Sequence, residues 1–113
     1  MPYSIYTKME FIEAPAFTKY IYDYLTEEEY AGLQNHLLLF PESGDKIPHS
    51  GGVRKLRWNI PGQGKGKRGG ARIIYFYQES DSEIWLLTIY AKNDIANIPA
   101  HILRKIAQEF RDG

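Results

Sequence analysis

The chain has 113 residues and balances fourteen Lys+Arg against fourteen Asp+Glu, for a formal net charge of zero. That length suits one domain over residues 1–113, and the absence of cysteine excludes disulfides, iron–sulfur clusters, thiolate zinc sites and cysteine nucleophiles. The histidines at 36, 49 and 101 have no HExxH-type spacing, so no metal site is expected.

The longest apolar runs, such as Leu37 to Phe40, are four residues, far short of a membrane span. The start, Met1-Pro2-Tyr3-Ser4, lacks the basic and apolar regions of a signal peptide. The expectation is a soluble cytoplasmic domain with no membrane partner. The neutral total conceals a strong asymmetry. Residues 1–45 are net −6, residues 46–78 are net +8 without one carboxylate, and residues 79–113 are net −2. Cations packed that closely repel one another, and a polyanionic partner is the simplest offset; a solvated basic loop is the alternative.

Met9 to Glu13 alternates apolar and polar residues, as a short strand does. Pro15 suits a helix first turn, and Phe17, Tyr20, Ile21, Tyr24 and Leu25 place an apolar stripe on one helical face. Thr26-Glu27-Glu28-Glu29 reads as a capping box opening a second helix. Its apolar positions are Tyr30, Leu33, Leu37 and Phe40, and Pro41 stops it. The pair is an αα-hairpin.

Val53 to Trp58 reads as a strand with Val53, Lys55 and Arg57 on one side and Arg54, Leu56 and Trp58 on the other. Asn59 to Gly70 is a glycine-rich basic loop. Arg72 to Tyr77 and Ile84 to Tyr90 are β-prone runs joined by a polar turn, hence an antiparallel hairpin. The second run is apolar on both faces and should be a central, covered strand. A last helix is expected near Pro99 to Phe110, burying Ile102, Leu103, Ile106 and Phe110. The order β–α–α–β–β–β–α is an α+β class: a small antiparallel sheet with helices on one face, its other face free for a ligand.

The loop Gly62-Gln63-Gly64-Lys65-Gly66-Lys67-Arg68-Gly69-Gly70 is not a phosphate-binding P-loop. No Ser or Thr follows the lysine, and the next element is a strand rather than a helix. Lys65, Lys67 and Arg68 instead suit a flexible grip on a nucleic-acid backbone, with Arg54 beside them. Lys55 and Arg57 stand two apart on a strand, about 7 Å along one face. If Arg72 and Lys92 come from neighbouring strands, the four cations converge and would stabilise a pentacoordinate phosphorus, each such donor typically worth about 10²–10³ in rate. The alternative is a set of surface cations with carboxylate partners, against which stands the lack of carboxylates in the local sequence. Tyr20, Tyr24 and Tyr30 read as helix packing. Tyr75, Tyr77 and Tyr90 lie on sheet strands, where a ring on the free face would stack a base. His101 is an acid/base candidate.

Gly52-Val53-Arg54-Lys55-Leu56-Arg57, then Gly66 to Tyr77 (GKRGGARIIYFY), then Leu87-Thr88-Ile89-Tyr90-Ala91-Lys92-Asn93 resemble the RelE superfamily of type II toxin–antitoxin toxins, most closely the HigB branch. The likeness spans nearly the whole chain. It implies a microbial-RNase-like (RelE/ParE) fold and ribosome-dependent cleavage of mRNA in the A site by 2′-hydroxyl attack, with no metal or cofactor. It also implies a neutralising antitoxin, often a HigA-like helix-turn-helix protein that carries any contact with operator DNA. Carried over residue by residue, the strand cations are Lys55 and Arg57, the arginine opening the next strand is Arg72, and the cation closing the following strand is Lys92. By that analogy Lys55 is the base, a part arginine cannot play at neutral pH, while Arg57 and Arg72 stabilise charge. The chain departs from the family where Asn93 stands in place of an arginine found in some members. No tyrosine follows Tyr90, which leaves His101 for the acid that others draw from a C-terminal Tyr or His. Two further readings of the same fold are non-catalytic: a ParE-like gyrase-binding protein, and an inactive toxin kept as an antitoxin partner.

Overall fold

The computed structural model describes residues 9–59 and 70–91. The expected C-terminal helix and nearly all of the glycine-rich loop lie outside them. The described elements are β1 (Glu10–Glu13), α1 (Pro15–Tyr24), α2 (Glu27–Leu39), β2 (Asp45–Lys46), β3 (Val53–Trp58), β4 (Ala71–Gln78) and β5 (Glu83–Ala91). They form an α+β arrangement with a five-stranded sheet ordered β1-β5-β4-β3-β2.

Pro15 opens α1 with φ already near the helical value, and Leu25 ends it in extended backbone, its N–H donating to the Ile21 carbonyl at 3.0 Å. The capping box of α2 is present in both directions. The Glu29 N–H donates to Thr26 Oγ1 at 3.1 Å, and the Thr26 N–H donates to Glu29 Oε1 at 2.9 Å. Three glutamates in that first turn also complement the helix dipole. Glu13, at the end of β1, accepts from Thr18 Oγ1 and from the Tyr30 hydroxyl, each at 2.6 Å, and so ties both helices to the sheet.

The main core lies between the helices and the sheet: Phe17, Ile21, Leu25, Tyr30, Leu33 and Leu37 pack on Leu56, Ile73, Tyr75, Ile84, Leu86 and Ile89. Each fully buried Leu, Ile or Phe contributes about 1.5–3 kcal/mol. Two expected core residues are outside it. Tyr20 is 40% exposed and lies beside the Lys19 ammonium. Phe40 is the C-cap of α2, where the chain leaves the helical path before Pro41, and is 57% exposed.

The sheet differs from expectation in two ways. It is mixed, because β1 runs parallel to β5, with Glu10 opposite Glu83 and Phe11 opposite Ile84. The α1–α2 hairpin and three further strands intervene, which is the crossover that a parallel pair requires. Its second face is also not open, since Ala14, Val53, Ile74, Phe76, Leu87 and Tyr90 are buried there as a second apolar cluster. A register shift between Ile74 and Tyr75 puts Thr88 opposite Ile74 and Leu86 opposite Tyr75, so Leu87 is an extra, bulged residue of β5.

The two-residue β2 was not legible in sequence. It is held by the segment before it. The Tyr75 hydroxyl donates to the Pro41 carbonyl at 2.8 Å and accepts from the buried Gly44 N–H at 2.9 Å. A Cβ at Gly44 would lie 2.8 Å from Tyr75 Cε1 and 3.1 Å from the Lys55 carbonyl oxygen, so only glycine fits. After β2 the chain reverses through left-handed His49, Gly51 and Gly52, with the buried Ser50 hydroxyl donating to Ile47 O and accepting from the Val53 N–H.

Tyr75→Phe removes the partner of the buried Gly44 N–H and is expected to cost about 1–3 kcal/mol, measured by urea unfolding. Tyr30, Tyr75 and Tyr90 all have their pKa raised above 10.0, first by burial, and at Tyr30 also by the bond to Glu13. A folded-state pKa above the unfolded value leaves stability intact below about 10 and removes it as pH rises further. Unfolding free energy should therefore fall between pH 9 and 11, less steeply in Tyr30→Phe than in the native protein.

Candidate functional site

In a sheet, residues directly opposite one another point to the same side, and residues two apart along a strand share a face. The β3–β4 ladder pairs Arg57 with Arg72, and the β4–β5 ladder pairs Arg72 with Tyr90. One row across three strands thus reads Arg57, Arg72, Tyr90. The next row reads Asp45, Lys55, Ile74, Thr88. Both rows lie on the face away from the helices, since Ile74 and Tyr90 belong to the second apolar cluster while Leu56 and Ile73 belong to the main core.

Side chains paired across a ladder have Cβ atoms about 4.5–5.5 Å apart, and the two rows are separated by about 7 Å. Lys55, Arg57 and Arg72 therefore come together, as expected. Arg72 is 9% exposed, with Nη1 3.4 Å from its neighbour's carbonyl, Ala71 O, whereas Arg57 is exposed and Lys55 half-buried. Like charges placed directly opposite in a ladder repel, and the register puts two guanidinium-bearing residues side by side on this face.

Arg54 is placed differently. It points to the helix side, where Nη1 donates to the carbonyls of Gly44 at 2.7 Å and Glu42 at 3.0 Å. Its guanidinium fixes the approach to β2 and does not join the other cations. Lys92, His101, Lys65, Lys67 and Arg68 lie outside the described residues. Tyr75 and Tyr77 face the helices, and Tyr75 is fully buried in the main core.

Of two further residues on this face, the sequence names Tyr90 without fixing its side and gives no sign of Asp45. Tyr90 reaches it only because of the bulge at Leu87: strict alternation from Leu86 would have turned it into the main core. Burial raises its hydroxyl pKa, and the neighbouring Arg72 charge pulls it back. Asp45 arrives on β2, directly opposite Lys55. The carboxylate missing from the local sequence of the cation block is supplied from the adjacent strand.

The face can hold an anion with two guanidinium groups and an ammonium, and it offers one carboxylate and one phenol for proton transfer. Among the described residues no group of three or more His, Asp or Glu could hold a metal ion, and no helix is long and apolar enough to cross a membrane. No protein-family model matches the chain.

Removing the like-charge opposition by Arg57→Gln should leave the protein slightly more stable to heat at low ionic strength. The difference should shrink as salt rises, because exposed charges are screened.

Proposed function

We propose that this protein is the toxin of a type II toxin–antitoxin system, a ribosome-dependent endoribonuclease that cuts mRNA in the ribosomal A site in the cytoplasm. The observation that carries the reading is the direct opposition of Arg57 and Arg72, with Lys55 one row away on the same face. Such a trio would meet a phosphodiester with three cations from two adjacent strands. The likeness to RelE-superfamily toxins, HigB branch, assigns the same three residues to the scissile phosphate and supplies the microbial-RNase-like fold.

In this reaction the 2′-hydroxyl attacks the adjacent phosphorus, the O2′–P bond forms and the bond to the 5′-oxygen breaks. Arg57 and Arg72 hold the non-bridging oxygens, whose negative charge increases in the pentacoordinate state. The resemblance assigns proton removal from the 2′-hydroxyl to Lys55. The leaving 5′-oxygen takes a proton from an acid, for which the resemblance points to His101 and the described face offers the Tyr90 hydroxyl. Lys92 completes the cation set by resemblance, while Lys65, Lys67 and Arg68 grip the RNA backbone. The implied partners are the ribosome, mRNA and a helix-turn-helix antitoxin, which carries any contact with operator DNA.

The test is primer-extension mapping of mRNA incubated with the purified protein and translating ribosomes, beside Arg57→Ala and Arg72→Ala. Cuts should require the ribosome and fall by about 10²–10³ in each variant. Arg57 is exposed, so its variant should melt no lower than the native protein even if the Arg72 variant does. Intact mRNA with folded native protein would overturn the reading in favour of a gyrase-binding or inactive partner of the same fold.

A further inference from the structure

We infer that Asp45 is the proton acceptor of this site and that Lys55 serves as a fixed cation beside it; the inference rests on the nuclease reading above. Asp45 and Lys55 are direct partners in the β2–β3 ladder, so their side chains leave the sheet together on the cationic face. Asp45 is thereby placed in the same row as Lys55 and one row from Arg57 and Arg72.

The backbone around Asp45 is held more tightly than a two-residue edge strand needs. The preceding Gly44 donates its N–H to the Tyr75 hydroxyl at 2.9 Å and accepts at its carbonyl from Arg54 Nη1 at 2.7 Å. Its Cα lies so close to Tyr75 and Lys55 that no side chain fits there. After β2, the Ser50 hydroxyl and two left-handed glycines close the hairpin back onto β3. Tyr75, Arg54, Gly44 and Ser50 together fix where the Asp45 carboxylate emerges.

The chemistry favours the same division of labour. Two arginines and a lysine around one phosphate supply positive charge, and Asp45 is the one carboxylate that the ladder places in their rows among the described residues. In the step proposed, the 2′-hydroxyl gives its proton to Asp45 as the O2′–P bond forms. The P–O5′ bond then breaks, leaving a cyclic phosphate, and the 5′-oxygen takes a proton from an acid of the site or from water. Lys55 and the arginines carry the charge on the non-bridging oxygens. Among the described residues, the charged and titratable groups on the face toward Asp45 are Lys55 from β3, then Arg57, Arg72 from β4 and Tyr90 from β5. Lys46 and Arg54, the other pair of that ladder, point to the opposite face.

The experiment compares ribosome-dependent mRNA cleavage by the native protein, Asp45→Asn, Asp45→Glu and Lys55→Arg between pH 5 and 9, with a thermal melt of each. Asp45→Asn should lose about 10²–10⁴ in rate while keeping a near-native melting temperature, since Asp45 is exposed. Asp45→Glu should recover part of the rate, and Lys55→Arg, which keeps the charge but cannot accept a proton, should lose less than Asp45→Asn does. A cross-strand ion pair serving only stability would lower the melting temperature in Asp45→Asn and leave cleavage by the folded variant near the native rate; that result overturns the proposal. Loss of cleavage in Lys55→Arg with cleavage kept in Asp45→Asn would return the base to Lys55. A native protein that leaves mRNA intact overturns the nuclease reading itself, and this assignment with it.

Discussion

The cationic face depends on the burial of β5 between two apolar layers. Ile84, Leu86 and Ile89 fill the core under the helices while Leu87 and Tyr90 pack on the other side, so this strand is desolvated on both faces. It is also hydrogen-bonded along both edges, parallel to β1 and antiparallel to β4. A strand so constrained cannot slip, because a shift of one residue would exchange its two apolar sets. β4 takes its register from β5, and β3 from β4. The position of Arg57 against Arg72 is therefore set by hydrophobic packing two strands away rather than by any attraction between the cations themselves.

That arrangement explains how a repulsive pairing persists. Opposed guanidinium groups gain nothing from each other, and a sheet held only by local pairing would relax by sliding or fraying at the β3 edge. Here the edge is covered by β2, whose approach is pinned by Tyr75 and Arg54. Tyr75 joins the two functions in one side chain: its ring belongs to the main core and its hydroxyl holds the segment that delivers Asp45.

Much of this was readable in sequence. The capping box at Thr26, the stop before Pro41, the alternation through Val53 to Trp58 and the doubly apolar run from Ile84 are local patterns, and each became the element it predicted. The convergence of Lys55, Arg57 and Arg72 followed from period-two alternation plus one hairpin. What escaped were non-local features. The parallel pairing of β1 has no local signature, and a two-residue strand is too short for periodicity to register. The bulge at Leu87 breaks the alternation that would otherwise assign faces, which is why the side taken by Tyr90 was open. Asp45 was hidden because it lies just before the carboxylate-free block and reaches Lys55 only across a ladder. Arg54 was grouped with the RNA-binding cations by its charge; its carbonyl partners are visible only in three dimensions.

The parallel bond between β1 and β5 also has a consequence for how the molecule comes into being. Glu10 pairs with Glu83, so the first described strand waits for the last described one. Closing so large a loop costs entropy that only the finished core returns, and such long-range pairings form slowly. A nascent chain that has reached Trp58 already carries Lys55 and Arg57, but it has neither the opposing Arg72 nor the strand that fixes their register. The charges are made early, and the site is made only once β4 and β5 have joined the sheet.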